Sequence, residues 1–173
     1  VVRYSYATGQ LEGVMFDNGS VKPKITPAAY QLSPDEKTIL LETNINPIYR
    51  HSYTADYYLY TIATGELKPL LTEGNQKIAR FSPDGKTMYF TRCTHDPNYP
   101  RYAQIFSSAR SDASWGKPEA VSISRDTLSS YAHPAVSPDG MWLYFVSDMP
   151  GGVGGLDIWR IGLSEYGLGA VEN

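Results

Sequence analysis

Three stretches decide the fold: "QLSPDEKTILLET" at residues 31–43, "RFSPDGKTMYFTR" at 80–92 and "AVSPDGMWLYFVS" at 135–147. Each has a small or apolar lead-in, a Ser-Pro-Asp-Gly/Glu turn, and then a run of β-branched and aromatic residues. The aspartates Asp35, Asp84 and Asp139 recur at intervals of 49 and 55 residues. Proline fixes φ at about −65° at the first corner of a turn. Aspartate bonds back to nearby backbone N–H groups, and glycine accepts positive φ. The grammar is that of a β-hairpin. Glu36 stands where the other copies have Gly85 and Gly140, which predicts a less tight first turn. The strands that follow, such as Ile39-Leu40-Leu41, Met88-Tyr89-Phe90 and Leu143-Tyr144-Phe145-Val146, are apolar at successive positions. Strands buried on both faces read this way.

Working outward, Tyr57–Ile62, Ala103–Ser107 and Asp157–Ile161 hold the same place in successive copies. Short outer strands follow each: Leu67–Leu70, Pro118–Val121 and Gly169–Val171. Val2–Tyr6 and Leu11–Met15, joined by Ala7-Thr8-Gly9, read as the last two strands of a preceding unit. No convincing helix is found, beyond a short helical turn expected near Asp126–Tyr131. Repeats of about 50 residues with four strands each are the mark of a β-propeller. The expected fold is therefore all-β: four-stranded antiparallel blades at 22–74, 75–124 and 125–173, with half a blade at 1–21. About three and a half blades make an incomplete or small ring within one domain. Unpaired faces and edges in such an arc favour self-association through open blade edges.

Composition agrees. The 173 residues are 42% hydrophobic and 19% charged, too apolar and too weakly charged for a disordered chain. A net charge of −3 with no basic run argues against nucleic acid as a partner. No apolar stretch is long enough for a transmembrane segment, and no charged-then-apolar leader predicts a signal peptide. Cys93, the single cysteine, excludes an internal disulfide framework and a cysteine-rich zinc site.

Two resemblances rest on longer strings. Residues 1–85 resemble the propeller of dipeptidyl peptidase IV, through "VVRYSYATG" and "LSPDEKTILLETNINPIYRHSYTADYYLYTIATGELKPL", with Tyr49–Ala55 the most specific part. Residues 80–173 resemble TolB-type propeller repeats of Bacteroidetes OmpA-family envelope proteins, through "FSPDGKTMYFTRC" and "YAHPAVSPDGMWLYFVSDMPGGVGGLDIWRI". The two meet at Phe81–Gly85, which suggests a recombined or designed chain, with a natural hybrid family as the alternative. The first resemblance implies a serine peptidase whose propeller supplies a glutamate pair for the substrate's amino terminus. This chain has no Gly-x-Ser-x-Gly nucleophile elbow, and "TRCTHDPNYPRYAQIF" replaces the region of that pair. No catalytic or substrate-binding residue carries over. The second resemblance implies a periplasmic or outer-membrane location.

Other chemistry is sparse. Arg50 and His51 read as hydrogen-bonded blade elements. Cys93-Thr94-His95-Asp96 offers metal-ligand types, but two ligands and a carboxylate on one loop fall short of a site. His133, just before Pro134, reads as structural. The Ser-Pro-Asp aspartates read as turn formers, not calcium ligands. Tyr99, Tyr102, Trp115, Tyr131 and Trp142 read chiefly as packing between blades. The glycine-rich stretch after Ser147 lacks the Lys and helix of a phosphate loop. It reads as an inter-strand loop, and is the one candidate binding loop: Asp148, Met149, Gly151, Gly152, Gly154, Gly155 and Asp157. No enzyme activity, cofactor or metal is expected. The expected function is a non-catalytic propeller for protein binding or scaffolding in the bacterial cell envelope, or else an artificial chimera of the two lineages without native activity. The alternative is an accessory, substrate-gating propeller of a prolyl dipeptidyl peptidase that lacks its hydrolase domain.

Overall fold

The computed structural model describes residues 1–49, 52–72, 75–93, 103–112 and 114–173. Apart from one 3-10 turn at Asn18–Ser20, its regular structure is strand. β1 (Val2–Tyr4) and β2 (Leu11–Val14) form a two-stranded ribbon. β3 (Ala29–Leu32), β4 (Thr38–Tyr49), β5 (Ser52–Thr61) and β6 (Glu66–Pro69) follow as an antiparallel meander. The second meander is β7 (Asn75–Phe81), β8 (Thr87–Cys93) and β9 (Ala103–Ser111). It is edged by two short strands, β10 (Ser114–Trp115) and β11 (Glu119–Ala120), both on β9. The third is β12 (Tyr131–Val136), β13 (Trp142–Ser147), β14 (Asp157–Ser164) and β15 (Gly167–Glu172). One pair, Ala55 with Gln76, stitches the first meander to the second. These are four-stranded antiparallel propeller blades. The segment at Asp126–Tyr131 holds bends rather than the helical turn expected there.

The core lies between the sheets, and strand alternation explains how. Side chains on a strand point to opposite faces in turn. Ile39 and Leu41 join Phe16, Val21 and Ile25 on one side of the first blade. Leu40, between them, faces the other way onto Phe81, Met88 and Phe90 of the second. On β9 the same split sends Phe106 to that cluster and Ile105 to the next, with Leu143, Phe145, Trp159 and Ile161 of the third blade. Each layer of hydrophobic burial thus joins neighbouring blades. The third blade departs from the expected burial on both faces. Leu143 and Phe145 are covered, whereas Tyr144 is 36% and Ile158 70% exposed. No cluster of the described residues covers that second face.

The repeated turn is one hydrogen-bond network built three times. Ser33, Ser82 and Ser137 donate their hydroxyls to Asp35, Asp84 and Asp139 at 2.5–2.7 Å. The same aspartate oxygens accept the N–H two residues on, at 2.9–3.2 Å. Each serine hydroxyl also accepts the N–H of Thr38, Thr87 or Trp142. The first turn is as tight as the others, contrary to the expectation from Glu36. Its N–H reaches the Ser33 carbonyl at 2.8 Å, against 2.9 Å for Gly85 and Gly140. Glu36 does this by adopting φ 55 itself, a left-handed conformation that costs a non-glycine residue about 1–2 kcal/mol. An ion pair with Arg3 accompanies it.

Gly85 sits at φ 69, and a Cβ there would lie 3.1 Å from Pro34 Cδ of the first blade. Gly85→Ala combines backbone strain with that crowding, and is expected to lower stability by about 1–2 kcal/mol in urea unfolding. The turns are tied across blades a second way: Arg110 of β9 reaches Asp35 at 2.8 Å.

The turns also set an acid response. At Asp35 and Asp84 burial opposes ionisation. The serine hydroxyl and the backbone N–H outweigh it, with help from Arg110 at Asp35 and Lys86 at Asp84, and hold both carboxyls below their usual range. At Asp139 the Ser137 hydroxyl and the Met141 N–H do the same. A carboxyl with a lowered folded value stabilises fully above its unfolded value, here 3.8, and loses that contribution as pH falls through the folded one. Melting temperature is therefore expected to drop as pH is taken below about 4. Replacing the three aspartates by asparagine should flatten that part of the profile.

Candidate functional site

The glycine-rich segment bridges β13 and β14, and its residues divide by role. Asp148 accepts the Ser130 N–H at 2.7 Å, pinning the segment to the approach to β12. Met149 turns inward against the third-blade core, and its N–H donates to Ser147 Oγ at 3.1 Å. Asp157, the first residue of β14, accepts the Gly154 N–H at 2.9 Å and closes the loop on itself. Gly152 lies so close to this carboxylate that an added Cβ would fall 2.0 Å from Asp157 Oδ2. Gly151 passes over Trp159. Val153 is left in solvent, and Leu156 is exposed over most of its surface.

Gly152→Ala forces Asp157 to swing away and drop the Gly154 bond. The expected result is faster amide exchange at residues 151–155, with a stability loss of no more than about 1 kcal/mol because the loop is exposed.

Asp148 and Gly155 reach a cavity of about 390 Å³ between the second and third blades. Its other walls include Lys77 of β7, Cys93 of β8, and His133 of β12, as well as Leu156. Of the seven loop candidates, only these two line it. Sequence reasoning took Cys93 and His133 one at a time and passed over Lys77 and Leu156, because nothing in their spacing shows that three strands converge.

His133 is held at φ 56 in a bulge of β12, with its backbone N–H on Thr91 Oγ1 at 2.9 Å. Burial, helped by the Lys77 charge, lowers its imidazole below the usual value, so it is neutral near pH 7. Burial raises the Cys93 thiol while Lys77 pulls the other way. The net result is a protonated, weakly nucleophilic sulfur. The cavity thus presents a largely apolar wall with a few polar ends, the general make-up of a small-ligand pocket. Among the described residues, no group of three or more His, Cys, Asp or Glu is placed to hold a metal ion.

The remaining candidates fall into place individually. Tyr131 is buried in the core, with its hydroxyl 2.7 Å from Ser124 Oγ. Trp115 packs against Phe81, and Trp142 lies 4.1 Å beneath the Arg160 guanidinium. Arg50, His51, Thr94, His95, Asp96, Tyr99 and Tyr102 lie outside the described residues.

Comparison with known proteins bears on this arrangement. Residues 33–94 match the model of the dipeptidyl peptidase IV (DPP IV) N-terminal region. A probable dipeptidyl peptidase 4 of Emericella nidulans is 39% identical over 66 residues, 37% of this chain and 8% of that protein. A probable dipeptidyl peptidase 4 of Aspergillus fumigatus is 29% identical over 125 residues, 68% of this chain and 16% of that protein. The chain therefore spans a small part of these relatives. Among solved structures, a prolyl endopeptidase superposes with a TM-score of 0.57 at 14% identity, covering 94% of this chain and 22% of that one. At that identity the likeness shows the fold alone. Taken together, the chain has the propeller fold and is similar, through residues 33–94, to the N-terminal region of dipeptidyl peptidase IV.

Proposed function

We propose that this chain is a non-catalytic propeller segment of a prolyl dipeptidyl peptidase-type protein, one that receives peptides and controls their access to a separate hydrolase domain. The observation that supports the reading is the match of residues 33–94 to the DPP IV N-terminal region. The A. fumigatus alignment adds to it. It covers 68% of the chain, more than lies on either side of Phe81–Gly85. One resemblance therefore runs through the turn where two had met, which favours a continuous lineage over a recombined chain. The sequence carries no Gly-x-Ser-x-Gly nucleophile elbow, in keeping with a non-catalytic segment.

The test pairs two assays. The chain is incubated with Gly-Pro-p-nitroanilide, and its binding to fluorescein-labelled proline-containing peptides is followed by anisotropy. No p-nitroaniline release and saturable peptide binding are expected. Release above buffer would remove the non-catalytic reading, and absence of any peptide binding would remove the gating role.

A scaffold role in the bacterial envelope is the second reading. The string Tyr131–Ile161 supports it, as does the exposed loop presenting Val153 and Leu156. It predicts a periplasmic location, checked by fractionating the cells that make the protein.

A further inference from the structure

Four buried side-chain polar atoms have no hydrogen-bond partner among the described residues, and two of them line one cavity. They are Oε1 of Gln31, on β3, and Oε1 of Glu42, on β4. The cavity holds about 350 Å³ between the first and second blades. Leu40, Tyr53 and Tyr57 line it, with Tyr30 and Arg80. It shares no residue with the cavity at the glycine-rich loop.

Glu42 is only 7% exposed. A buried carboxylate without full pairing is among the most unfavourable arrangements a fold retains. Its charge is felt by its neighbours. A hydrogen bond to Glu42 is the main cause that raises the Tyr53 hydroxyl above the usual phenol range, and Glu42 also acts on Tyr57. Tyr53 thus meets part of the carboxylate's demand and leaves Oε1 unmet. Arg80 does not complete it. Its Nη1 donates to its neighbour's carbonyl, Ala79 O, at 2.8 Å. No ion pair joins Arg80 to Glu42 among the described residues.

We propose that this inter-blade cavity binds a small alkylammonium group, whose N–H donors engage Glu42 Oε1 and Gln31 Oε1 among tyrosine rings. The two orphaned oxygens call for a donor with more than one hydrogen. The carboxylate calls for positive charge, and Tyr30, Tyr53 and Tyr57 line the cavity with aromatic rings, the side chains that attract a cation over their faces. A neutral alcohol brings one hydrogen and no charge. The site is a single carboxylate on β4, unlike the glutamate pair of the peptidase propeller. The proposal does not depend on the peptidase-type reading.

The test is titration of the whole chain with n-butylammonium chloride, followed by saturation-transfer NMR and by thermal melting. Sodium chloride at equal ionic strength and n-butanol serve as controls. Saturable binding of n-butylammonium and a rise in melting temperature are expected, with neither produced by the controls. Glu42→Gln should weaken binding about tenfold or more, the scale of a lost charge-assisted bond. Gln31→Leu keeps the carboxylate and should weaken it less, which keeps the test decisive if Glu42→Gln fails to fold. An absence of saturable binding, equal binding of n-butanol, or undiminished binding in both variants would overturn the proposal. Peptide hydrolysis plays no part in the readout, so this result and that of the p-nitroanilide assay can fail separately.

Discussion

Phe90→Ala is expected to remove about 3–5 kcal/mol of unfolding free energy. Phe90 is 0% exposed at the middle of β8, and its ring stacks on Phe106 with centroids 5.8 Å apart. The same cluster contains Leu40 from the first blade and Met88 from its own strand. Truncation therefore opens a void where two blades meet. Neither sheet can close it without sliding against the other, because Gly85 on Pro34 and Arg110 on Asp35 fix their relative position. A typical domain holds only about 5–15 kcal/mol in total, so this one change consumes a large share. Urea unfolding should show a lower midpoint with the slope unchanged. Phe90→Leu, which refills most of the space, should cost less than half as much. A loss under about 1 kcal/mol for Phe90→Ala would mean that the first two blades do not pack as described.

The blades were legible because their signals are local. A Ser-Pro-Asp turn needs only its own five or six residues to close, and the apolar runs after it report burial directly. The alternation of Leu40 against Ile39 and Leu41 could be anticipated from strand period. Three things were not legible, each for a physical reason. Glu36 takes a conformation that its residue type disfavours, so propensity misjudged the first turn. Ile78 and His133 also have positive φ, at 50 and 56, in bulges of β7 and β12. Neither residue type gives a hint of this, since the strain is offset by partners on the preceding blade. The exposed face of Tyr144 and Ile158 was hidden because an apolar run does not say how many of its faces have a neighbour.

The site was harder to read than the fold. Only the glycine-rich loop announces itself along the chain. Cys93, His133 and Lys77 meet through the pairing of β7 with β8 and the packing of β12 upon them. Gln31 and Glu42 look like ordinary polar residues in strands, and their unpaired oxygens become visible only in three dimensions.

The bulges themselves yield the second large effect, at Tyr57. This residue is 1% exposed on β5, yet its hydroxyl crosses to the next blade and accepts the Ile78 N–H at 3.1 Å. Burial, with Glu42 and Tyr53 nearby, pushes the phenol well above its usual range, while the N–H groups of Ile78 and Ala79 act in the opposite sense. The hydroxyl therefore remains protonated throughout the neutral range. Thr91 repeats the device one blade on, taking the N–H of His133. In both cases the bulge turns an amide out of its ladder, and a hydroxyl of the preceding blade receives it. Tyr57→Phe keeps the ring and its packing but leaves the Ile78 amide without an acceptor. An orphaned buried donor costs about 1–3 kcal/mol, and the left-handed Ile78 loses the contact that holds it. The expected outcome is a stability loss in that range, with hydrogen exchange accelerating first at Ile78 and Ala79. Ile78→Gly relieves the strain independently of the hydroxyl, so in the Tyr57→Phe background it should recover part of the loss. A Tyr57→Phe protein as stable as the parent, with exchange at Ile78 unchanged, would show that the hydroxyl does not tie the first blade to the second.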